Sequence, residues 1–237
     1  MGEVQSYFAQ KYYSEPVMAG TAIVALIVSI RYYGRHRGLR PFTYFIMSSL
    51  LVTAVDFYRV ISAANQPAMK SIVITMSNTF GLIEIIIFSR FILFNLSSVL
   101  RQRIVKISVW LYFGVMLVNC IRDYCFIFST AYYLVPTIFL IPLCLVYFYE
   151  LLATANPKRL RDRPGFWIIT GAFLVSSGTA PLMMCAKYLG SYYDVAYSLN
   201  YFLFGILFIL LTRAYLCPSD EAELKEMGRP YSVNKNN

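Results

Sequence analysis

Apolar residues run along this chain in stretches closed by charge or turn signals, over 17–33, 42–62, 71–95, 106–129, 131–153, 166–188 and 195–215. Wound as helices, stretches of about 20 apolar residues cross a hydrocarbon layer roughly 30 Å thick, so the pattern predicts a bundle of seven transmembrane helices. The boundary between the fourth and fifth is the least marked, because 125–146 is almost unbroken apolar sequence. That run is too long for one span, and Ser129 and Pro136 indicate where it turns.

The connections alternate in charge. The first carries Arg35, Arg37 and Arg40, the third Arg101, Arg103 and Lys106, and the fifth Lys158, Arg159, Arg161 and Arg163. The second and sixth offer mainly Lys70 and Lys187. Basic residues stay on the cytoplasmic side, so the odd connections are expected inside, the N-terminus outside and the C-terminus in the cytoplasm. Tyr12, Tyr13, Tyr192 and Tyr193 on one side, with Tyr32, Tyr33, Phe166 and Trp167 on the other, would form the two interfacial aromatic belts. The expected organisation is an extracytoplasmic segment 1–16, a membrane domain 17–215 and a partly disordered cytoplasmic tail 216–237, in a multi-pass protein of the cell (inner) membrane.

Composition agrees with this picture. Of the 237 residues 58% are hydrophobic and 14% charged, an excess of apolar surface that only lipid can cover. The net charge of +9 would suit nucleic acid on a soluble domain, but here the basic residues sit in short clusters between apolar runs. They read as topology signals and lipid-headgroup contacts, with the bilayer as partner and no nucleic acid. Cys120, Cys125, Cys144, Cys185 and Cys217 fall singly in or beside apolar runs and read as packing residues. Glu3 and Glu15 precede the first run where a signal peptide would carry basic residues, so the first helix is expected to be retained.

The first and last three spans share a pattern. RHRGLRPFTYFIMSSLLVTA leads into the second span and KRLRDRPGFWIITGAFLVSSGTA into the sixth: a basic run, a proline, an aromatic, then a helix rich in small residues. SNTFGLIEIIIFSRFIL in the third and SLNYFLFGILFILLTRAYL in the seventh each hold an outer asparagine and an inner arginine. This predicts a 3+1+3 arrangement, two three-helix repeats around a linking fourth helix.

An ionisable group at the centre of a span costs about 3 kcal/mol on insertion scales and normally faces the bundle with a partner. Asp56 and Arg59 lie three apart in the second span, on one helical face. Asn119, Arg122 and Asp123 make a similar face in the fourth. With Asn78 and Asn200 they are expected in the outer half, either lining an outward-facing polar pocket or fixing helix register as buried pairs. Glu84 falls near the midplane of the third span with no opposite charge within a turn, and is expected buried and either neutralised or paired across helices. At the inner end Glu150 is expected to pair with Lys158 or Arg159, forming with Arg161, Arg163 and Trp167 a cytoplasmic interface. Ser176, Ser177 and Thr179 read as interhelical hydrogen-bonding residues.

The missing residue types narrow the chemistry. The one histidine, His36, lies in the first connection, so a three-histidine zinc site has no ligand set. The last span lacks the lysine a retinal protein needs, and neither a Gly-rich phosphate loop nor a Ser/His/Asp set can be assembled. No catalytic residue, metal or cofactor is expected.

Two stretches carry a resemblance. SNTFGLIEIIIFSRF over 77–91 and VYFYELLATANPKRLRDRPGFWIITGAF over 146–173 are similar to a group of small seven-helix membrane proteins common in Bacteroidota genomes. The resemblance implies the seven-helix fold and singles out Asn78, Glu84, Glu150, Pro164, Phe166 and Trp167; it brings no activity with it. A looser likeness at the level of fold links the chain to membrane sensor modules of bacterial histidine kinases. The expectation is a receptor-like sensory module that binds a small or lipid-like ligand in the bundle and acts through a cytoplasmic signalling partner, alone or as a homo-oligomer. The alternatives are a small-solute transporter, although Pro136 and Pro142 have no prolines opposite them in the first span, and a non-catalytic assembly subunit.

Overall fold

Prolines in the first turn, where the missing amide costs nothing, open three of the helices. They are Pro41, Pro67 and Pro164. In the computed structural model, which describes residues 2–34, 37–61, 67–122, 130–154, 157–186 and 193–217, the described chain is helical apart from short turns and holds no strand. Seven α-helices follow one another: α1 Gly2–Arg31, α2 Arg40–Ile61, α3 Pro67–Asn95, α4 Val99–Arg122, α5 Thr130–Thr154, α6 Pro164–Ala186 and α7 Tyr193–Tyr215. Short 3-10 helices, Arg37–Leu39 and Pro157–Asp162, precede α2 and α6.

Four stretches are long and apolar enough to cross a membrane: Ser14–Arg31 of α1, Leu134–Ala153 of α5, Pro164–Met184 of α6 and Ser198–Tyr215 of α7. A shorter apolar stretch, Arg40–Val55, lies in α2. Their apolar residues are not all turned inward: Ile27, Tyr149, Leu152 and Phe202 face outward, as does Trp110 of α4, which is 77% exposed. Such a surface is unfavourable in water and matched in hydrocarbon, so these helices belong to a membrane protein.

Three elements depart from the pattern read in the sequence. Helix α1 begins at Gly2 rather than near 17, running through Pro16. Helix α4 begins at Val99 rather than 106, so Arg101, Arg103 and Lys106 occupy its first two turns instead of a loop. Ser98 supplies the reason: its carbonyl accepts the Gln102 amide at 3.0 Å, while the Gln102 side chain reaches back to the Leu96 carbonyl at 2.7 Å. Pro136 is no turn but lies within α5, as does Pro142. Each removes one amide from the ladder, which membrane helices tolerate where neighbours pack against the break. Here the Pro136 ring is 3.2 Å from where a Cβ on Gly81 of α3 would stand.

Packing follows a closed cycle. Helix α1 packs on α2, α2 on α3, α3 on α5, α5 on α6, α6 on α7 and α7 back on α1, while α4 lies outside against α5 and α3. Glycines set the closest approach, that of α6 to α7. A Cβ on Gly171 would stand 2.7 Å from Leu207 Cδ1, and one on Gly178 would stand 2.5 Å from Leu203 Cδ1. Close backbone approach through small residues is how helices associate where lipid removes the hydrophobic drive. Aromatic rings from α2, α3 and α7 meet inside the cycle. Phe45 stacks on Phe80 with centroids 5.1 Å apart, meets Phe88 edge-on at 5.6 Å and lies 6.3 Å from Phe208.

Candidate functional site

Glu84 is buried, 6% exposed, as the sequence pattern requires. Its position on α3 is set by helical spacing: Phe80 one turn before and Phe88 one turn after share its face. Both rings pack on Phe45 of α2, and Phe80 lies 6.2 Å from Phe204 of α7, so Glu84 is carried between two phenylalanines of its own helix that meet rings of α2 and α7. On α5, which packs against α3, Cys144 is buried. Among the described residues no hydrogen bond or ion pair holds the Glu84 carboxyl group. Isolation of this kind is costly for a charged carboxylate, and of the two expected states, neutralised or paired across helices, no pairing cation stands among the described residues.

Asn200 is buried on α7 and accepts a 2.6 Å hydrogen bond from the Thr179 hydroxyl of α6. Ser177 donates to the Leu174 carbonyl at 3.3 Å. Thr179 thus forms an interhelical hydrogen bond as expected, whereas Ser177 bonds within α6 and the buried Ser176 hydroxyl has no hydrogen-bond partner among the described residues. The rest of the outer cluster cannot be placed with them. The side chains of Asp56, Arg59, Asn78, Asn119 and Arg122, and all of Asp123, lie outside the described residues.

At the basic end of the bundle Arg101 of α4 is a described partner of Glu150, its Nε 2.8 Å from Oε2, while the Lys158 and Arg159 side chains expected to pair with Glu150 lie outside the described residues. The early start of α4 causes this, because it places Arg101 in a first helical turn beside the last turn of α5. Glu150 also accepts hydrogen bonds from the Ser97 hydroxyl and, at 3.3 Å, the Ser97 amide. Arg101 in turn lies over the Tyr149 ring at 5.4 Å. One carboxylate thereby ties the α3–α4 turn to the end of α5. The Arg159 side chain is outside the described residues.

Trp167 belongs to a second tie. Its indole donates to the Arg161 carbonyl at 2.8 Å, and Arg213 of α7 lies over its ring at 5.8 Å. The Cys217 thiol is buried beside the same Arg161 carbonyl and donates to the Arg213 carbonyl at 3.4 Å. Arg161 itself is exposed and Arg163 half-buried, its carbonyl accepting the Phe166 amide at 3.1 Å.

A third tie involves residues that sequence reasoning missed. The Tyr215 hydroxyl donates to the Leu39 carbonyl at 2.7 Å and lies 2.9 Å from the Thr43 hydroxyl. Arg40 donates to the Tyr33 carbonyl at 3.2 Å and stacks over the Tyr33 ring at 4.8 Å. The tyrosines 33 and 44 join hydroxyl to hydroxyl at 2.9 Å. Ser97 and Ser98 before Val99 were a readable helix-start signal that would have brought Arg101 toward Glu150. Nothing in the local sequence announces the Tyr215 contact, which closes across the chain. The buried acid Glu15 on α1 was likewise not singled out.

Compared with protein families, curated proteins and solved structures, the chain matches none.

Proposed function

We propose that the chain is a seven-helix sensory module of the cell membrane, N-terminus outside and C-terminus in the cytoplasm, that binds a ligand inside the bundle and passes a helix displacement to a cytoplasmic partner. The observation that carries this reading is the course of α7. Midway its Phe204 and Phe208 pack with Phe80 and Phe45, the rings next to Glu84 on α3 and across from it on α2, and at its end Tyr215 bonds the segment preceding α2, Cys217 contacts the Arg161 carbonyl before α6 and Arg213 lies over Trp167 at the start of α6. A rigid helix joins the interior polar group to the surface from which the tail leaves. Ligand binding that favours one position of α7 therefore acts on both basic connections at once. The orientation rests on the basic residues, with Arg40, Arg101, Arg103, Lys106, Arg161, Arg163 and Arg213 all near the same end of the bundle.

The test is accessibility. With a single cysteine placed in the tail at Ser219, ligand added to sealed vesicles should change the labelling rate from the cytoplasmic side. A tail whose labelling is indifferent to every bound ligand would remove the sensory reading.

One observation favours transport instead. A shift of 123 residues carries the end of α1, Arg31, onto the end of α5, Thr154. The same shift carries Arg37–Leu39 onto the last three residues of Pro157–Asp162, Arg40 and Pro41 onto Arg163 and Pro164, Tyr44 onto Trp167, and Arg90 onto Arg213. It also carries the packing onto itself: α1 on α2 becomes α5 on α6, α2 on α3 becomes α6 on α7, and α3 on α5 becomes α7 on α1. This supports a 3+1+3 duplication with α4 as the linker, an architecture suited to alternating access. Solute uptake into proteoliposomes would establish that reading over the first.

A further inference from the structure

A lone buried carboxylate and a group of aromatic faces have one ligand chemistry in common. The ring faces are electron-rich and attract a cation of low hydration, and the carboxylate supplies the countercharge. Here Glu84 stands between Phe80 and Phe88 on one face of α3, and both rings pack on Phe45 of α2. Phe204 of α7 adds a ring 6.2 Å from Phe80, and Phe208 one 6.3 Å from Phe45. The rings on the basic side of this group, Phe45, Phe88 and Phe208, are fully buried. Phe80 and Phe204, toward the other end of the bundle, are only partly buried. The group is therefore sealed on the side of the basic connections and least closed on the opposite side.

The duplicated register sharpens the point. Under the shift of 123 residues Glu84 corresponds to Leu207, which is fully buried and packs into the space left by Gly171. At matching depth, one half of the bundle carries an ordinary packing residue and the other a carboxyl group with nothing described to neutralise it. Packing alone would be served by leucine at both places.

We propose that Glu84, with Phe45, Phe80, Phe88, Phe204 and Phe208, forms a recognition site for a small organic cation, a quaternary or protonated amine. The site rests on the reading of the bundle as ligand-binding and names the class of ligand. The cation enters from the side of Phe80 and Phe204, exchanges its hydration for ring faces and sets its charge against Glu84. No cation on the protein competes for the carboxylate among the described residues, so the site is selective for charge rather than for shape alone.

The experiment is equilibrium dialysis of the full chain in detergent against radiolabelled tetraethylammonium, with two competitors that differ only in charge: choline and its neutral isostere 3,3-dimethylbutan-1-ol. Saturable binding is expected, with choline competing at least about tenfold better than the alcohol. Glu84→Gln, nearly isosteric, should weaken binding by about tenfold or more, and Glu84→Asp should retain part of it. Absence of saturable binding, equal competition by choline and the alcohol, or unchanged binding in Glu84→Gln would each overturn the proposal. The comparison of the two competitors uses the unsubstituted protein and stands whether or not a variant folds. Failure of the sensory reading looks different: the cation binds through Glu84, yet labelling of the tail does not respond.

Discussion

Tyr215 and Leu39 stand 176 positions apart in the chain, yet the tyrosine hydroxyl donates to the leucine carbonyl at 2.7 Å with both residues buried. The bond gives the Leu39 carbonyl, in the short 3-10 helix before α2, a buried side-chain donor from the far end of the chain. Replacing Tyr215 with Phe removes that donor and deprives the Thr43 hydroxyl of a partner at little cost in volume. The expected loss is about 2 kcal/mol, and a fall in unfolding temperature of roughly 5 °C in detergent. Thr43→Ala should cost less, because the Leu39 carbonyl keeps its donor. An unfolding temperature for Tyr215→Phe equal to that of the unsubstituted protein would show that the bond adds no stability.

Glu150 and Arg101 test the first tie. Their side chains are 5% and 24% exposed, so the pair is neither a surface bridge nor fully dry. Removing one partner should cost about 2 kcal/mol, below the loss for a completely buried pair. Glu150→Gln and Arg101→Met together should cost less than the two separately, by about 1 kcal/mol in a double-mutant cycle of thermal unfolding. Strict additivity would mean that Glu150 acts through Ser97 and not through Arg101.

Gly165 permits the entry of α6 against α5. A Cβ there would stand 2.0 Å from the Tyr147 hydroxyl oxygen, 3.1 Å from Cζ and 3.4 Å from Phe91 Cζ. Gly165→Ala should destabilise by about 2 kcal/mol through overpacking. Adding Tyr147→Phe removes the nearest atom and should restore part of that stability, although the second substitution alone is expected to be mildly destabilising. Unfolding curves in which the double variant is no more stable than Gly165→Ala would show that the helices move apart at this point.

Topology is open to a direct check. In a variant without the native cysteines, an impermeant reagent applied to sealed cells should label cysteine at Gln66 or Ser191 and leave cysteine at Gly38 or Asn156 unlabelled. Orientation here rests on the charge of the connections alone. The opposite pattern would invert the bundle and move the tail outside.

Helix number and most helix ends were legible because they depend on short-range signals. Hydropathy marks length, Pro67 and Pro164 mark starts, and the basic clusters mark ends. The start of α4 was hidden because charge at Arg101, Arg103 and Lys106 was read as loop, although an interfacial helix turn accommodates the same residues. Burial of Glu84 followed from its place in an apolar run, but the rings around it did not. Phe45, Phe80, Phe204 and Phe208 are distributed over three helices, and only packing makes them neighbours. Arg101 was missed as a partner of Glu150 for a related reason: it is distant in sequence and near only in space.

Cys217 offers a test of the second tie that depends on pH. It lies beyond the last apolar stretch, and burial pushes its thiol above the usual range; the Arg213 guanidinium acts weakly in the opposite sense and the Asp162 carboxylate adds to the rise. The thiolate is the reactive form, so at any given pH a raised pKa leaves a smaller reactive fraction. Maleimide labelling of Cys217 in detergent should therefore be slower at pH 7 than that of an exposed thiol, with a rate that keeps rising through pH values where an ordinary cysteine, near 8.5, has levelled off. Arg213→Gln removes a group that favours the thiolate and should slow labelling further at every pH. Trp167→Ala removes the indole that holds the Arg161 carbonyl, opening the packing around Cys217, and should speed labelling by access without restoring the ordinary pH profile. If Cys217 labels as fast as an exposed cysteine and levels off at the same pH, the end of α7 is not packed against the segment before α6. The tail would then start from an untethered helix end, and the proposed transmission through α7 would lose its cytoplasmic half.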